Sequence, residues 1–177
     1  MATYVVGANA FGGNARDLVG SSRAGWGGTN FVFDFQLSLD TSFTGKDLLR
    51  TVLRDGNFGN SPFGGGGPTG QLSLLGAAFD QDCRDFACPY VLSVDRLFYQ
   101  FPIGSNLMAT FGARVEQDDM LALAPNVYPD NTVLNVMTLA GAPGAYNYNL
   151  GSGAGLWWKD KAWSLSANYV AFYGDIS

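Results

Sequence analysis

The sequence predicts an all-β fold, an antiparallel transmembrane β-barrel of about eight strands in this chain. Three observations carry that expectation. Apolar and polar residues alternate with a period of two through segment after segment, the signature of strands with two unlike faces. Charged residues make up 14% of the 177 residues, against about 25% in an ordinary soluble domain, so the outside is not dressed in Lys and Glu. Short turns alternate with long connections, the pattern of barrels with brief turns at one rim and long loops at the other.

The clearest strand is Phe31 to Asp40. Phe31, Phe33, Phe35, Leu37 and Leu39 share one face, and Val32, Asp34, Gln36, Ser38 and Asp40 share the other. At about 3.3 Å per residue such a run matches a tilted membrane crossing of about 9–11 residues. A turn over Ser42-Phe43-Thr44-Gly45-Lys46 leads into a strand from Asp47 to Asp55, with Leu49, Thr51 and Leu53 opposite Arg50, Val52 and Arg54. A Gly-rich loop through Gly64–Gly67 and Pro68 precedes a weaker strand near Gln71 to Phe79. Val91 to Phe101 sets Leu97, Tyr99 and Phe101 against Arg96 and Gln100, and Pro102 to Asn106 form a turn. Next, Leu107, Ala109, Phe111, Ala113 and Val115 alternate with Met108, Thr110, Gly112, Arg114 and Glu116.

Gln117 to Pro143 is the least strand-like region; it is expected to be an external or inward-folded loop with a short helical turn near Met120 to Leu123. Strands are expected again at Tyr146 to Trp158 and Trp163 to Phe172, and another at Tyr4 to Phe11. Tyr99, Phe101, Trp157, Trp158, Trp163, Phe172 and Tyr173 sit at strand ends, where aromatic girdles of membrane barrels lie.

Composition excludes several functions. A net charge of -5 with scattered Lys and Arg argues against a nucleic-acid partner. The chain has no His, so neither a Ser-His-Asp nor a Cys-His arrangement can be assembled, and no enzyme is expected. Thr44-Gly45-Lys46 lacks the upstream glycine of a phosphate loop and reads as a turn. Gly151-Ser152-Gly153-Ala154-Gly155 lies inside an alternating strand, so its small residues point to close packing rather than to a dinucleotide. Asp118-Asp119 with Glu116 reads as an acidic, solvated loop, with a weak cation site as the lesser alternative. Cys83 and Cys88 are too few for a zinc site without His. A disulfide closing a small loop is expected, with two free thiols as the alternative. No metal or cofactor is expected. Met1-Ala2-Thr3-Tyr4 has no basic n-region or apolar h-region, so an exported barrel is expected to be present as a mature form or a fragment.

If the greasy faces meet lipid, strand phase turns Arg50, Arg54, Arg96 and Arg114 inward, together with Asp34, Gln36, Asp40, Gln100 and Glu116. An arginine facing lipid at mid-depth would cost about 2–4 kcal/mol, so the inward assignment is also the energetically favoured one. Rings of charged side chains set ion preference in a pore; the alternative role for these residues is ion pairing that stabilises the wall.

Three stretches resemble a known family. Leu39-Asp40-Thr41-Ser42-Phe43-Thr44-Gly45-Lys46-Asp47-Leu48-Leu49-Arg50-Thr51, Val94-Asp95-Arg96-Leu97-Phe98-Tyr99-Gln100-Phe101-Pro102-Ile103-Gly104 and Ala140-Gly141-Ala142-Pro143-Gly144-Ala145-Tyr146-Asn147 resemble cyanobacterial outer-membrane porins of the OprB-like carbohydrate-selective, iron-uptake group. The likeness runs from about Phe31 to Ala171. It implies an outer-membrane barrel in contact with lipid that passes small hydrophilic solutes and inorganic ions, iron and sugars among them, without energy input; assembly as a homotrimer is left open. It also implies that residues 1–177 are a single barrel segment of a larger porin, since family barrels are about twice this long; members usually also carry a surface-layer-homology domain and a helical anchor, not found in this stretch. The other classes weighed are a structural barrel tethering the envelope, and a soluble barrel binding a small ligand.

Overall fold

The computed structural model describes residues 1–8, 29–57, 92–123, 149–172 and 174. Among these residues there are seven strands: β1 (Ala2–Gly7), β2 (Asn30–Thr41), β3 (Leu48–Gly56), β4 (Ser93–Ile103), β5 (Leu107–Glu116), β6 (Leu150–Lys159) and β7 (Ser164–Ala171). They form one antiparallel sheet in the order β1-β2-β3-β4-β5-β6-β7. Among the described residues that sheet does not close on itself; they show the all-β, antiparallel part of the expected fold as a meander of seven strands. The expected strand at Gln71 to Phe79 lies outside the described residues.

Strand length follows from the length of each alternating run. β2 has 12 residues, β4 has 11, and β5 and β6 have 10 each, well beyond the five or six usual in soluble sheets. Short turns join β2 to β3, β4 to β5 and β6 to β7, at residues 42–47, 104–106 and 160–163. Gly45 and Gly104 adopt φ of 78° and 76° in the first two, a backbone that a Cβ would strain. Between the other consecutive described strands the sequence runs through residues 8–29, 57–92 and 117–149.

The chain divides into two compact units, one made of Met1–Gln36, Arg54–Ser93 and Val127–Gly141, the other of Leu37–Leu53, Val94–Asn126 and Ala142–Ser177. In the first, β1 pairs with β2 so that Tyr4 stands opposite Phe33 and Val6 opposite Phe31. The Tyr4 and Phe31 rings lie 5.9 Å apart, and both side chains are exposed. In the second, β5 pairs with β4 and β6, and β6 with β7. Phe111 stands opposite Tyr99 and Ala154, and Tyr169 opposite Ala154. Tyr99, Phe101 and Phe111 pack ring to ring on this face. Leu156, Leu165 and Tyr169 project from it into the open, Tyr169 at 73% exposure.

The opposite face holds the small core of the second unit: Phe98, Val115 and Met120. Strict alternation places Val115 with Phe111 on the apolar face. A β-bulge moves it: Leu97 pairs with Arg114 but Phe98 pairs with Gly112, and across β6 the register slips between Gly112 and Val115. An extra residue at a bulge re-aims the side chains beside it. Val115 is therefore fully buried on the polar side.

Beyond β5 the chain makes one 3₁₀ turn, Asp118–Met120, slightly ahead of the helical turn expected at Met120 to Leu123. Among the described residues no helix is long and apolar enough to cross a membrane, which says nothing of strands.

Candidate functional site

Polar side chains of the sheet gather on the face away from the exposed apolar residues. In the first unit, Arg54 donates from Nε to Asp34 Oδ1 at 2.7 Å and from Nη2 to Oδ2 at 2.9 Å. The two residues are 4% and 1% exposed, so this is a buried, fork-shaped ion pair. Gln36 Nε2 donates to Asp34 Oδ2 at 2.9 Å. Ser93 Oγ donates to the Arg54 carbonyl at 3.4 Å.

In the second unit, Arg50 makes the same fork with Asp40, at 2.9 and 2.7 Å, but in the open. Arg96 serves three carboxylates at once. Its Nη1 donates to Asp95 Oδ2 at 3.0 Å, its Nε to Asp119 Oδ2 at 3.1 Å, and its Nη2 to Glu116 Oε2. Asp119 Oδ2 also accepts from the Glu116 backbone N–H at 3.1 Å. Burial raises the Asp119 carboxyl above the ordinary carboxylate range, against the opposing pull of Arg96 and Arg50. Gln100 Nε2 donates to Thr110 Oγ1 at 3.0 Å, as expected for directly opposed residues on one face.

Among the expected lining residues these contacts join Asp34 with Arg54 and Gln36, Asp40 with Arg50, Arg96 with Glu116, and Gln100 with Thr110. Arg114 departs from the expected register. The bulge sets it in register with Leu97, which belongs to the apolar series, so the polar stripe through Thr110 and Gly112 does not run on unbroken to Arg114. Cys83 and Cys88 lie outside the described residues.

The alternation does not reveal Asp95 and Asp119 as partners of Arg96. It also leaves Asp118-Asp119 as a solvated loop, whereas Asp119 folds back onto the sheet with its side chain 18% exposed. The one advance signal is the excess of carboxylates near Arg96, since alternation is silent about residues beyond a strand end. Where one guanidinium fills the space among three carboxylates, the arrangement is an ion cluster, not a metal centre.

A further polar knot has no forerunner in the sequence pattern. Asp47 gathers the β2–β3 turn by accepting from Ser42 Oγ, from the Phe43 and Thr44 N–H groups and from Thr44 Oγ1. Tyr99 Oη donates to Asp47 Oδ2 at 2.6 Å, tying the turn to β4. Hydrogen bonds from Thr44 and then Tyr99 hold the Asp47 carboxyl far below the usual range.

Chemically this face offers fixed charges and hydrogen-bonding groups, with no activated nucleophile among its described residues. No protein-family model matches the chain, and no solved structure matches it. It is 30% identical over 162 residues to an uncharacterised protein of Synechocystis sp., an alignment covering 88% of this chain. The chain spans 28% of the length of that relative.

Proposed function

We propose that this chain is part of an outer-membrane β-barrel porin through which small hydrophilic solutes and inorganic ions diffuse passively. The observation that carries the reading is the inversion of the sheet. Phe31, Phe35, Leu37, Leu39, Phe111, Leu156, Leu165 and Tyr169 are exposed, while Asp34, Arg54, Thr110 and Glu116 are buried. A water-soluble sheet does the reverse, because an exposed apolar residue forgoes about 25 cal/mol per Å² of hydrophobic gain. Lipid removes that penalty and makes the same arrangement favourable.

In this reading Asp34, Gln36, Arg54, Asp40, Arg50, Arg96, Gln100 and Glu116 face the aqueous passage or brace its wall. Exposed aromatic residues such as Phe43 and Trp163, beside the short turns, suit the membrane interface. Iron and sugars as cargo rest on the family resemblance alone. The test is reconstitution of the purified protein, as part of its full-length parent, into planar bilayers. Stepwise ohmic conductance with weak discrimination among small ions is expected. A protein that is monodisperse without detergent and conducts nothing overturns the reading.

A further inference from the structure

Residues 117–122 are held to the polar face of the second unit more firmly than a loop needs to be. Met120 is fully buried, packed with Val115 and Phe98. It sits where β6 carries Gly155: a Cβ built on Gly155 would lie 2.9 Å from both Cβ and Sδ of Met120, closer than real atoms approach. The glycine is therefore a notch and the methionine its knob. Gly155 stands opposite Thr110 on β5 and Asn168 on β7, so the knob enters the middle of three paired strands.

The ends of the segment are fastened separately. The Gln117 N–H donates to the Asn149 carbonyl at 3.2 Å, and the Ala122 N–H to Ser166 Oγ at 2.9 Å. Between them, Met120 and Leu121 N–H groups close the 3₁₀ turn on Gln117 and Asp118. Asp119, next to the knob, accepts from Arg96. Through that arginine its carboxylate is joined to those of Glu116 and Asp95.

We infer that Met120 is a positioning residue: seated on Gly155, it pins the 117–122 strap against the sheet and thereby fixes the Asp119 carboxylate beside Arg96, where it biases the passage toward cations. The effect on ions rests on the porin reading; the pinning itself does not.

Two measurements separate those parts. Hydrogen–deuterium exchange of the folded protein in detergent reads the pin. With Met120→Ala, and with Gly155→Val, the amides of residues 120–122 should exchange at least about tenfold faster while those of β5 and β6 keep their rates. Met120→Leu should restore slow exchange, because a comparable side chain refills the notch. Exchange at 120–122 that Met120→Ala leaves unchanged overturns the inference. So does acceleration spread equally over β5 and β6, which would make Met120 a general core residue.

Reversal potentials across a potassium chloride gradient read the consequence. Met120→Ala should reduce the cation preference to about the level of Asp119→Asn, and the double variant should go no further, since both act through one carboxylate. Additive losses, or a Met120→Ala channel as cation-preferring as the parent, overturn the positioning role. A parent protein that conducts nothing sinks the porin reading, and the exchange rates at 120–122 then decide the pin by themselves.

Discussion

The β2–β3 hairpin carries one chemical device twice. Arg54 grips Asp34 and Arg50 grips Asp40, each through Nε and Nη2 in a two-pronged fork. Their surroundings differ: the side chains of the first pair are 5% and 0% exposed, those of the second 36% and 43%. Identical geometry therefore does two jobs. A dry pair must stay paired, because a lone buried charge is far more costly than a lone solvated one. A wet pair can exchange its partner for water or a passing ion at little cost. What separates the two pairs is solvent, not residue type.

The largest effect should come from breaking the dry pair. Arg54→Ala leaves Asp34 buried without its main counter-charge and should lower unfolding free energy by about 3–5 kcal/mol. Urea titration in lipid vesicles measures it. Replacing both partners with apolar residues, Asp34→Leu with Arg54→Met, should recover most of that loss. If Arg54→Ala costs under about 1 kcal/mol, water reaches the pair and the contrast with Arg50–Asp40 collapses.

Next in size is a test of the outer face against the inner one. Phe111 lies in the middle of β5 and is exposed. Phe111→Arg should cost about 2–4 kcal/mol in a bilayer, while Trp163→Arg, beside a short turn, should cost about 0–1 kcal/mol. A soluble sheet would lose only the ring contacts of Phe111 with Tyr99 and Phe101, so a gap between the two variants of the size set by lipid, again from urea titration in vesicles, decides which solvent bathes that face.

Much of this architecture is written in the alternation. β2, β3, β4, β5 and β7 fall within a residue or two of the segments read from the sequence, and the turns at Gly45 and Gly104 fall where turn residues cluster. The period also sorts Asp34, Arg54 and Gln100 onto one side, because a strand leaves a side chain only two directions. It cannot tell which arginine grips which aspartate, since that depends on register. It also fails at Ala113-Arg114: alanine suits either face, so nothing in the pattern signals the bulge that carries Val115 inward. The strap is illegible for a different reason. Met120 fits Gly155 across 35 residues of sequence, and a glycine's missing Cβ looks the same whether it makes a notch or a flexible link.

Two carboxylates extend the comparison to pH, with opposite signs. Asp47 has its pKa lowered by the hydrogen bonds of the folded turn. Its contribution is complete above the unfolded-state value, about 3.9, and is lost as pH falls toward the folded value. Asp119 has its pKa raised by burial, so the folded state resists its charge at neutral pH and is relieved on acidification. Asp47→Asn should lower the melting temperature at pH 7 and flatten its fall below about pH 4. Asp119→Asn should raise strap protection at pH 7 relative to acid, seen as slower amide exchange at residues 120–122. Parallel pH profiles for parent and Asp47→Asn would show that the Tyr99–Asp47–Thr44 knot adds nothing to the stability of the fold.

The smallest change in stability is expected at the wet pair, and it is the most informative about ions. Arg50→Ala should alter unfolding free energy by about 0–1 kcal/mol, as exposed ion pairs do. Yet removing that cation leaves Asp40 without the partner that now neutralises it and takes a positive charge from the neighbourhood of Asp119. Both changes make the polar face more negative, so the reversal potential should move toward stronger cation preference, more so at low salt, where screening is weaker. Arg50→Lys should keep most of the parental preference, since it preserves the charge and loses only the fork. If Arg50→Ala leaves the reversal potential where it was at every salt concentration, the exposed pair lies away from the ion path.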